Sequence, residues 1–132
     1  MTRREERRVA LDVLYQADIT DASAAAVVAE WRSAGREVPA FTEELVEGVS
    51  GRLPDIDLLL ETHAEDWSVQ RMAALDRTIL RVGVYELLWD DDIPSSVAIS
   101  EAVEAAAELS ADDAKRFVNG VLGRIARDEG VG

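Results

Sequence analysis

The chain has 132 residues, 48% of them apolar, and a formal net charge of −13, a composition typical of one compact soluble domain or two small subdomains. It contains no cysteine and a single histidine, His63, which excludes disulfides, thiol nucleophiles and a zinc centre. No apolar run approaches the length of a membrane span, and the charged N-terminus lacks the apolar core of a signal peptide. The sequence therefore predicts a cytoplasmic protein that is not attached to a membrane.

Helical spacing of apolar residues runs through the chain from its start. Thr2 and Glu5 have the spacing of a capping box, which predicts a first helix from about residue 3 to 19. Capping residues and prolines mark most of the later helix starts: Asp21 or Ser23, Pro39 with Thr42, Ser68, a point near Val97, and Ser110 with Asp113. Pro54 breaks, kinks or restarts the third helix. Since hairpin signals are absent, the sequence predicts an all-α protein of six to seven helices. An N-terminal bundle is expected over about residues 1–66 and a C-terminal bundle over about 67–132.

The first eight residues form a basic segment in an otherwise acidic chain. They contain four arginines and two glutamates, so the remainder is more acidic than the whole: Arg3, Arg4, Arg7 and Arg8, with Glu5 and Glu6. The four-residue spacing within each arginine pair predicts two ridges on adjacent helix faces. These arginines are either a solvated helix end paired with the glutamates or an anion site, and their place at an electropositive helix N-terminus favours the anion site.

Signs of catalysis are absent from the sequence. The carboxylates are scattered, and no phosphate-binding glycine loop or nucleophile motif occurs, so we expect neither an enzyme nor a cofactor. His63 is interpreted as an ordinary surface or half-buried residue, and Glu86 with Arg77 or Arg81 as a structural salt-bridge set. Asp76, near the start of a helix, is interpreted as an exposed carboxylate that either complements the helix dipole or contacts a basic protein.

Four ordered motifs span nearly the whole chain. They are Arg-Arg followed by Ala-Leu-Asp-Val-Leu-Tyr-Gln, the central Asp-Arg-Thr-Ile-Leu-Arg-Val-Gly-Val-Tyr-Glu-Leu, Ile-Pro-Ser-Ser-Val-Ala-Ile-Ser-Glu-Ala-Val-Glu, and Lys-Arg-Phe-Val-Asn-Gly-Val-Leu. Together they resemble the NusB family of transcription antitermination factors. The resemblance implies an all-α fold of two three-helix bundles packed side by side.

The resemblance also implies a function and a set of contacts. Members bind box A RNA of ribosomal RNA transcripts together with NusE, a small-subunit ribosomal protein, and join elongating RNA polymerase with other Nus factors; some form homodimers. The implied RNA-binding residues are Arg3, Arg4, Arg7 and Arg8, with Tyr15, Phe117 and Asn119 as further contacts. Asp76 and Asp113 are the implied partner-binding residues, since the body of the chain is acidic and a ribosomal protein is basic.

Two other functions remain open from the sequence. A helical adaptor without RNA binding would leave the N-terminal arginines dispensable. A related helical domain precedes the catalytic domain of certain ribosomal RNA cytosine methyltransferases, but we expect no such enzyme because the sequence stops at Gly132 without a domain for S-adenosylmethionine. Because Glu5 and Glu6 interrupt the arginines, we expect the RNA affinity of the protein alone to be weak and to depend on its partner.

Overall fold

The computed structural model describes residues 1–65 and 67–131, and within these ranges it contains helices and no strand. The seven α-helices are α1 (Arg3–Thr20), α2 (Ala24–Ser33), α3 (Ala40–Gly51), α4 (Leu53–His63), α5 (Ala74–Trp89), α6 (Ser95–Leu109) and α7 (Ala114–Asp128), and a 3₁₀ turn covers Val69–Arg71. The all-α prediction is confirmed. None of the helices in the described ranges is long and apolar enough to cross a membrane.

The ends of α1 follow the sequence signals closely. Thr2 and Glu5 form the predicted capping box, in which the Glu5 amide donates to Thr2 Oγ1 at 3.1 Å and the Thr2 amide donates to Glu5 Oε1 at 3.2 Å. At the other end Asp21 adopts the left-handed conformation with φ of 58° and ends the helix. Ser23 is therefore the residue that caps α2, through a 3.1 Å bond from the Ala26 amide to its hydroxyl.

Two helix starts later in the chain differ from the predicted caps, and a third settles an open alternative. Pro54 lies in the first turn of α4, so it restarts a helix rather than kinking or breaking one. The cap predicted at Ser110 and Asp113 is wrong, because the Asp113 side chain makes no capping bond and the Ser110 hydroxyl donates to Asp76 instead. Ser68 precedes only the 3₁₀ turn, and α5 begins at Ala74.

Contacts divide the chain into two compact units, Met1–Gly51 and Arg52–Gly132. The sequence placed this boundary near residue 66, which lies outside the described residues, as does Gly132. In the first unit α1, α2 and α3 each contact the other two and form a three-helix bundle. In the second unit α5, α6 and α7 pack on one another and α4 contacts α5 and α7, so the second unit includes a helix that the sequence assigned to the N-terminal bundle.

Polar side chains fix the helices of the second unit in their positions. Arg81 of α5 makes a two-pronged ion pair with Asp57 of α4, with both nitrogen–oxygen distances at 2.9 Å. His63 is buried and bonds to the Leu59 carbonyl at 2.8 Å and to Asp128 of α7 at 2.7 Å. His63 thus joins the end of α4 to the end of α7, and it is buried rather than at the surface or half-buried as the sequence predicted.

At Gly83, α5 packs closely against both α6 and α7. A Cβ atom at this position would lie 2.8 Å from Leu122 Cδ1 and 3.4 Å from the Cβ of Ala102. Since Leu122 is itself fully buried, its side chain has little room to move away. The glycine therefore sets how closely these three helices pack.

We expect Gly83→Ala to lower the free energy of unfolding by about 1–2 kcal/mol, because overpacking outweighs the better helix propensity of alanine. Gly51→Ala is the matched control, since nothing lies within 4 Å of a Cβ at that position. It should leave stability unchanged or raise it. Urea unfolding followed by circular dichroism measures both, and an equal effect of the two changes would contradict the packing argument.

Candidate nucleic-acid interface

The start of α1 places two of the predicted RNA-binding arginines against an aromatic ring of α3. The guanidinium carbon of Arg3 lies 4.1 Å from the centroid of the Phe41 ring, and that of Arg7 lies 5.7 Å from it. The hydroxyl of the adjacent Thr42 donates to the Glu6 carbonyl at 2.7 Å and fixes α3 against α1 at this level. Arginine side chains are long and flexible, and the contact with the ring restricts the conformations of these two.

The four arginines differ in how far they reach solvent. Arg3 and Arg4 are exposed, Arg8 is half-buried, and Arg7 is buried with 7% of its surface accessible. Arg3 and Arg7 share the ridge that their spacing predicted, and the ring of Phe41 covers part of it. Of the four, Arg3 and Arg4 are therefore the most accessible to a ligand, while Arg7 lies beneath the surface.

The two glutamates within the arginine segment have local structural partners. Glu5 belongs to the capping box, and its hydrogen bonds from the Thr2 backbone and side chain hold the pKa of its carboxyl below the usual value of 4.5. Glu6 Oε2 lies 3.4 Å from Nη1 of Arg3, whose side chain remains 66% exposed. An exposed pair of this length contributes little energy, so Arg3 can exchange Glu6 for a phosphate at small cost.

Tyr15 lies farther along α1 and is exposed, so its ring is accessible to a ligand. Arg8 precedes it by about two turns and Asp12 lies between them on the same side of the helix. Desolvation by neighbouring groups raises the pKa of the Asp12 carboxyl, although Arg36 and Arg8 oppose that shift through their charge. The side of α1 that carries Arg8, Asp12 and Tyr15 is therefore less positive than the start of the helix.

Phe117, Asp76 and Asp113 meet in one groove of the second unit. The groove has a volume of about 450 Å³, and its lining residues are Trp67, Arg71, Met72, Ala73, Asp76, Asp113, Ala114 and Phe117. The structure thus brings together one residue predicted to bind RNA and the two predicted to bind a protein partner. Apolar walls with two carboxylates and one arginine carry a net negative charge, which suits a basic partner with an apolar side chain better than it suits a phosphate.

Asp76 is less exposed than the sequence analysis expected. It is half-buried and accepts a hydrogen bond from the hydroxyl of Ser110, which joins the start of α5 to the end of α6. Trp67, which the sequence analysis did not select, contributes an indole that is 52% exposed at the groove. Among the described residues, no group of three or more histidine, cysteine, aspartate or glutamate side chains could hold a metal ion.

Asn119 lies outside this groove. It is exposed on α7 two residues after Phe117, and side chains two apart on a helix do not share a face. Its neighbours along the helix at four-residue spacing are Lys115 and Gly123. Phe117 and Asn119 therefore belong to different surfaces of the second unit.

The sequence and fold are similar to those of one family of known proteins. The model of the NusB family matches residues 4–127. The transcription antitermination protein NusB of Beutenbergia cavernae is 49% identical, covering 95% of this chain and 89% of the relative. The protein of the same name from Saccharopolyspora erythraea is 50% identical, covering 94% of this chain and 86% of the relative.

Solved structures give the same likeness in three dimensions. The structure of T. maritima NusB has a TM-score of 0.87 and 31% identity, covering 97% of this chain and 92% of that one. A chain from the crystal structure of antitermination factors NusB and NusE in complex with dsRNA has a TM-score of 0.82 and 25% identity. The match covers 97% of this chain and 99% of that one.

The Glu5 cap predicts a pH dependence at the start of α1. Because the folded carboxyl has a lowered pKa, the cap stabilises the helix above pH 4.5 and this contribution is lost as the pH falls through the folded pKa. We expect the helical chemical shifts of residues 3–6 to decline over that acid range in the parent protein. In Glu5→Gln, whose amide also completes a capping box, they should stay constant, and equal titration of both proteins would contradict the assignment.

Proposed function

The chain belongs to the NusB family, and from that premise we propose that it acts as an RNA-binding transcription antitermination factor. Relatives that share about half of its residues are named transcription antitermination protein NusB. A solved neighbour of the same fold occurs in complex with NusE and dsRNA. The RNA bound by this chain is the box A segment of ribosomal RNA transcripts, which it binds together with NusE, the small-subunit ribosomal protein.

The observation that carries the proposal is the pair of arginines stacked on Phe41 at a capped helix start. Arg3 and Arg7 are held by the ring, Arg3 and Arg4 reach solvent, and the helix N-terminus adds its own positive potential. Such a surface binds phosphates without first ordering its side chains. Arg8 and Tyr15 extend the RNA contact along α1, and Phe117 and Asn119 are assigned to RNA contacts of the second unit.

The acidic groove of the second unit is assigned to NusE. Asp76 and Asp113 supply negative charge and Trp67 supplies apolar surface, which together fit a basic ribosomal protein, while Phe117 at the same groove remains assigned to RNA. With NusE bound nearby, part of its positive charge lies close to Phe117 and lowers the cost of RNA approaching that side chain. The partner thus supplies affinity that the acidic chain lacks alone.

The wider assignment follows from the family. The two units form one NusB-like domain, and the complex of this protein, NusE and RNA joins elongating RNA polymerase with other Nus factors in the cytoplasm. A homodimer that covers the arginine surface would compete with RNA and keep the free protein inactive. The protein acts by binding and carries out no reaction of its own.

Replacing one exposed arginine tests the RNA contact. Arg4→Gln should weaken binding of box A RNA about fivefold at 0.1 M salt and make the plot of log affinity against log salt shallower by about 0.7, because one phosphate contact is lost. Arg52→Gln removes the same charge from the second unit, where Arg52 stacks on Trp89. Fluorescence anisotropy with NusE present measures both, and equal effects of the two changes would contradict a specific contact at Arg4.

Reversing one charge in the acidic groove tests the NusE contact. Asp113→Lys should lower NusE affinity at least about tenfold, since like charges then meet across the interface. Asp113 is exposed and makes no capping bond, so the change leaves the fold intact. Asp112→Lys is the matched control, because Asp112 is exposed and does not line the groove. Calorimetry measures the affinity of both variants for NusE. An equal loss of affinity in the two would contradict a local contact at Asp113 and indicate a general effect of charge.

A further inference from the structure

Helices α2 and α3 border a groove on the surface of the first unit. The groove has a volume of about 240 Å³, and its floor consists of Val28 and Val46, which are 7% and 2% exposed. Ala25 and Ala29, one turn apart on α2, are exposed and form one wall. The side of a helix that faces only water usually carries polar residues, so this side of α2 resembles one that packs on another element.

Helix α1 packs on a different side of α2 and α3. Thr42 of α3 donates to the Glu6 carbonyl of α1 at 2.7 Å, and Nε1 of Trp31 in α2 donates to Gln16 Oε1 at 2.9 Å. None of the residues that line the groove belongs to α1. The groove is therefore the place where a fourth helix would turn the three-helix bundle of residues 1–51 into a four-helix bundle.

The residues that line this groove carry a net negative charge. Glu43 and Glu47 line it from α3, a helix with three glutamates and no basic residue. Arg32 lines it from α2 and is held by an ion pair with Glu43 and by a 3.0 Å hydrogen bond to the Val38 carbonyl. Because Glu43 compensates the charge of Arg32, the exposed Glu47 leaves the lining with one negative charge.

The size and charge of the groove favour a protein segment as its ligand. Its volume of about 240 Å³ is below the range of about 300–1,000 Å³ that is typical of pockets for small molecules. The negative lining repels phosphate groups, which excludes RNA. Two neighbouring helices accept a further helix at an axial distance of about 8–10 Å, and small side chains such as those of Ala25 and Ala29 permit the close end of this range.

We propose that the groove between α2 and α3 binds a basic amphipathic helix of a protein in the transcribing complex other than NusE. Apolar side chains of that helix lie on Val28 and Val46, and a lysine or arginine beside them pairs with Glu47. The inference rests on the proposed function, in which this protein joins elongating RNA polymerase, and it assigns a surface to that step. The groove shares no residue with the N-terminal arginines or with the groove assigned to NusE.

The contact is small, so it forms within an assembled complex. From Ala25 to Arg32 the groove extends about 10 Å along α2, which is about two helical turns. A contact of this length buries less than the surface of about 1,200 Å² that is typical of stable protein complexes. RNA and NusE hold the protein beside the polymerase and raise the effective concentration of the partner to about the millimolar range, at which a weak contact is occupied.

Filling the groove with a bulky side chain tests the proposal. Ala29→Trp should raise at least about tenfold the protein concentration needed for half-maximal read-through of a terminator, because it blocks the apolar floor. The assay uses purified RNA polymerase, NusE, the other Nus factors and a transcript with box A. Ala26→Trp is the matched control, since Ala26 is exposed on α2 and does not line the groove. Both variants should bind box A RNA and NusE as the parent protein does.

Reversing the charge of Glu47 tests the basic character of the partner. Glu47→Lys should raise the same concentration at least about fivefold, because like charges then meet across the contact. Glu44→Lys is the matched control, since Glu44 is exposed on α3 and does not line the groove. Equal read-through with the two lysine variants would overturn a basic helix as the ligand.

The outcomes separate this inference from the function on which it rests. If the parent protein supports read-through and Ala29→Trp does so at the same concentration as Ala26→Trp, the groove binds no part of the transcribing complex and the inference is wrong. If the parent protein with NusE and box A supports no read-through at any concentration, the proposed antitermination function itself is wrong.

Discussion

Charge repulsion is the constraint on which the interpretation of this protein depends. A chain with a net charge of −13 repels RNA on average, so binding requires cations that are gathered locally and held in place. The structure gathers such cations at the capped start of α1 in the first unit. The remaining acidic surface suits a basic protein, which makes the high negative charge compatible with an RNA-binding complex.

The backbone and two arginine side chains at the start of α1 are held in defined positions, so the basic segment presents a defined surface. The Thr2 and Glu5 cap fixes the backbone, and the Phe41 ring restricts two arginine side chains. Binding then loses less side-chain entropy than it would with free arginines. Glu5, which appears in the sequence only as an interruption of positive charge, is one of the residues that makes this arrangement possible. The negative charge of Glu5 lowers the attraction of this segment for RNA, but its cap gives α1 a defined start.

Sequence reasoning succeeded where the signal is local and failed where partners are distant in the chain. The bounds of α1 and the all-α fold follow from capping spacing and apolar periodicity, which depend on neighbouring residues. The contact of Phe41 with Arg3, the pairing of Arg81 with Asp57, and the bond from Ser110 to Asp76 join separate helices. In that last bond, Ser110 donates to Asp76 instead of capping α7, and Asp76 is half-buried although the sequence predicted an exposed carboxylate.

Chemical-shift mapping of the labelled protein with box A RNA tests the central claim most directly. With NusE present but unlabelled, we expect RNA to shift the signals of residues 3–8. These shifts should weaken as salt is raised, because the contact is electrostatic. Salt-independent shifts, or no shifts in residues 3–8, would contradict the claim that this acidic chain binds RNA through gathered cations.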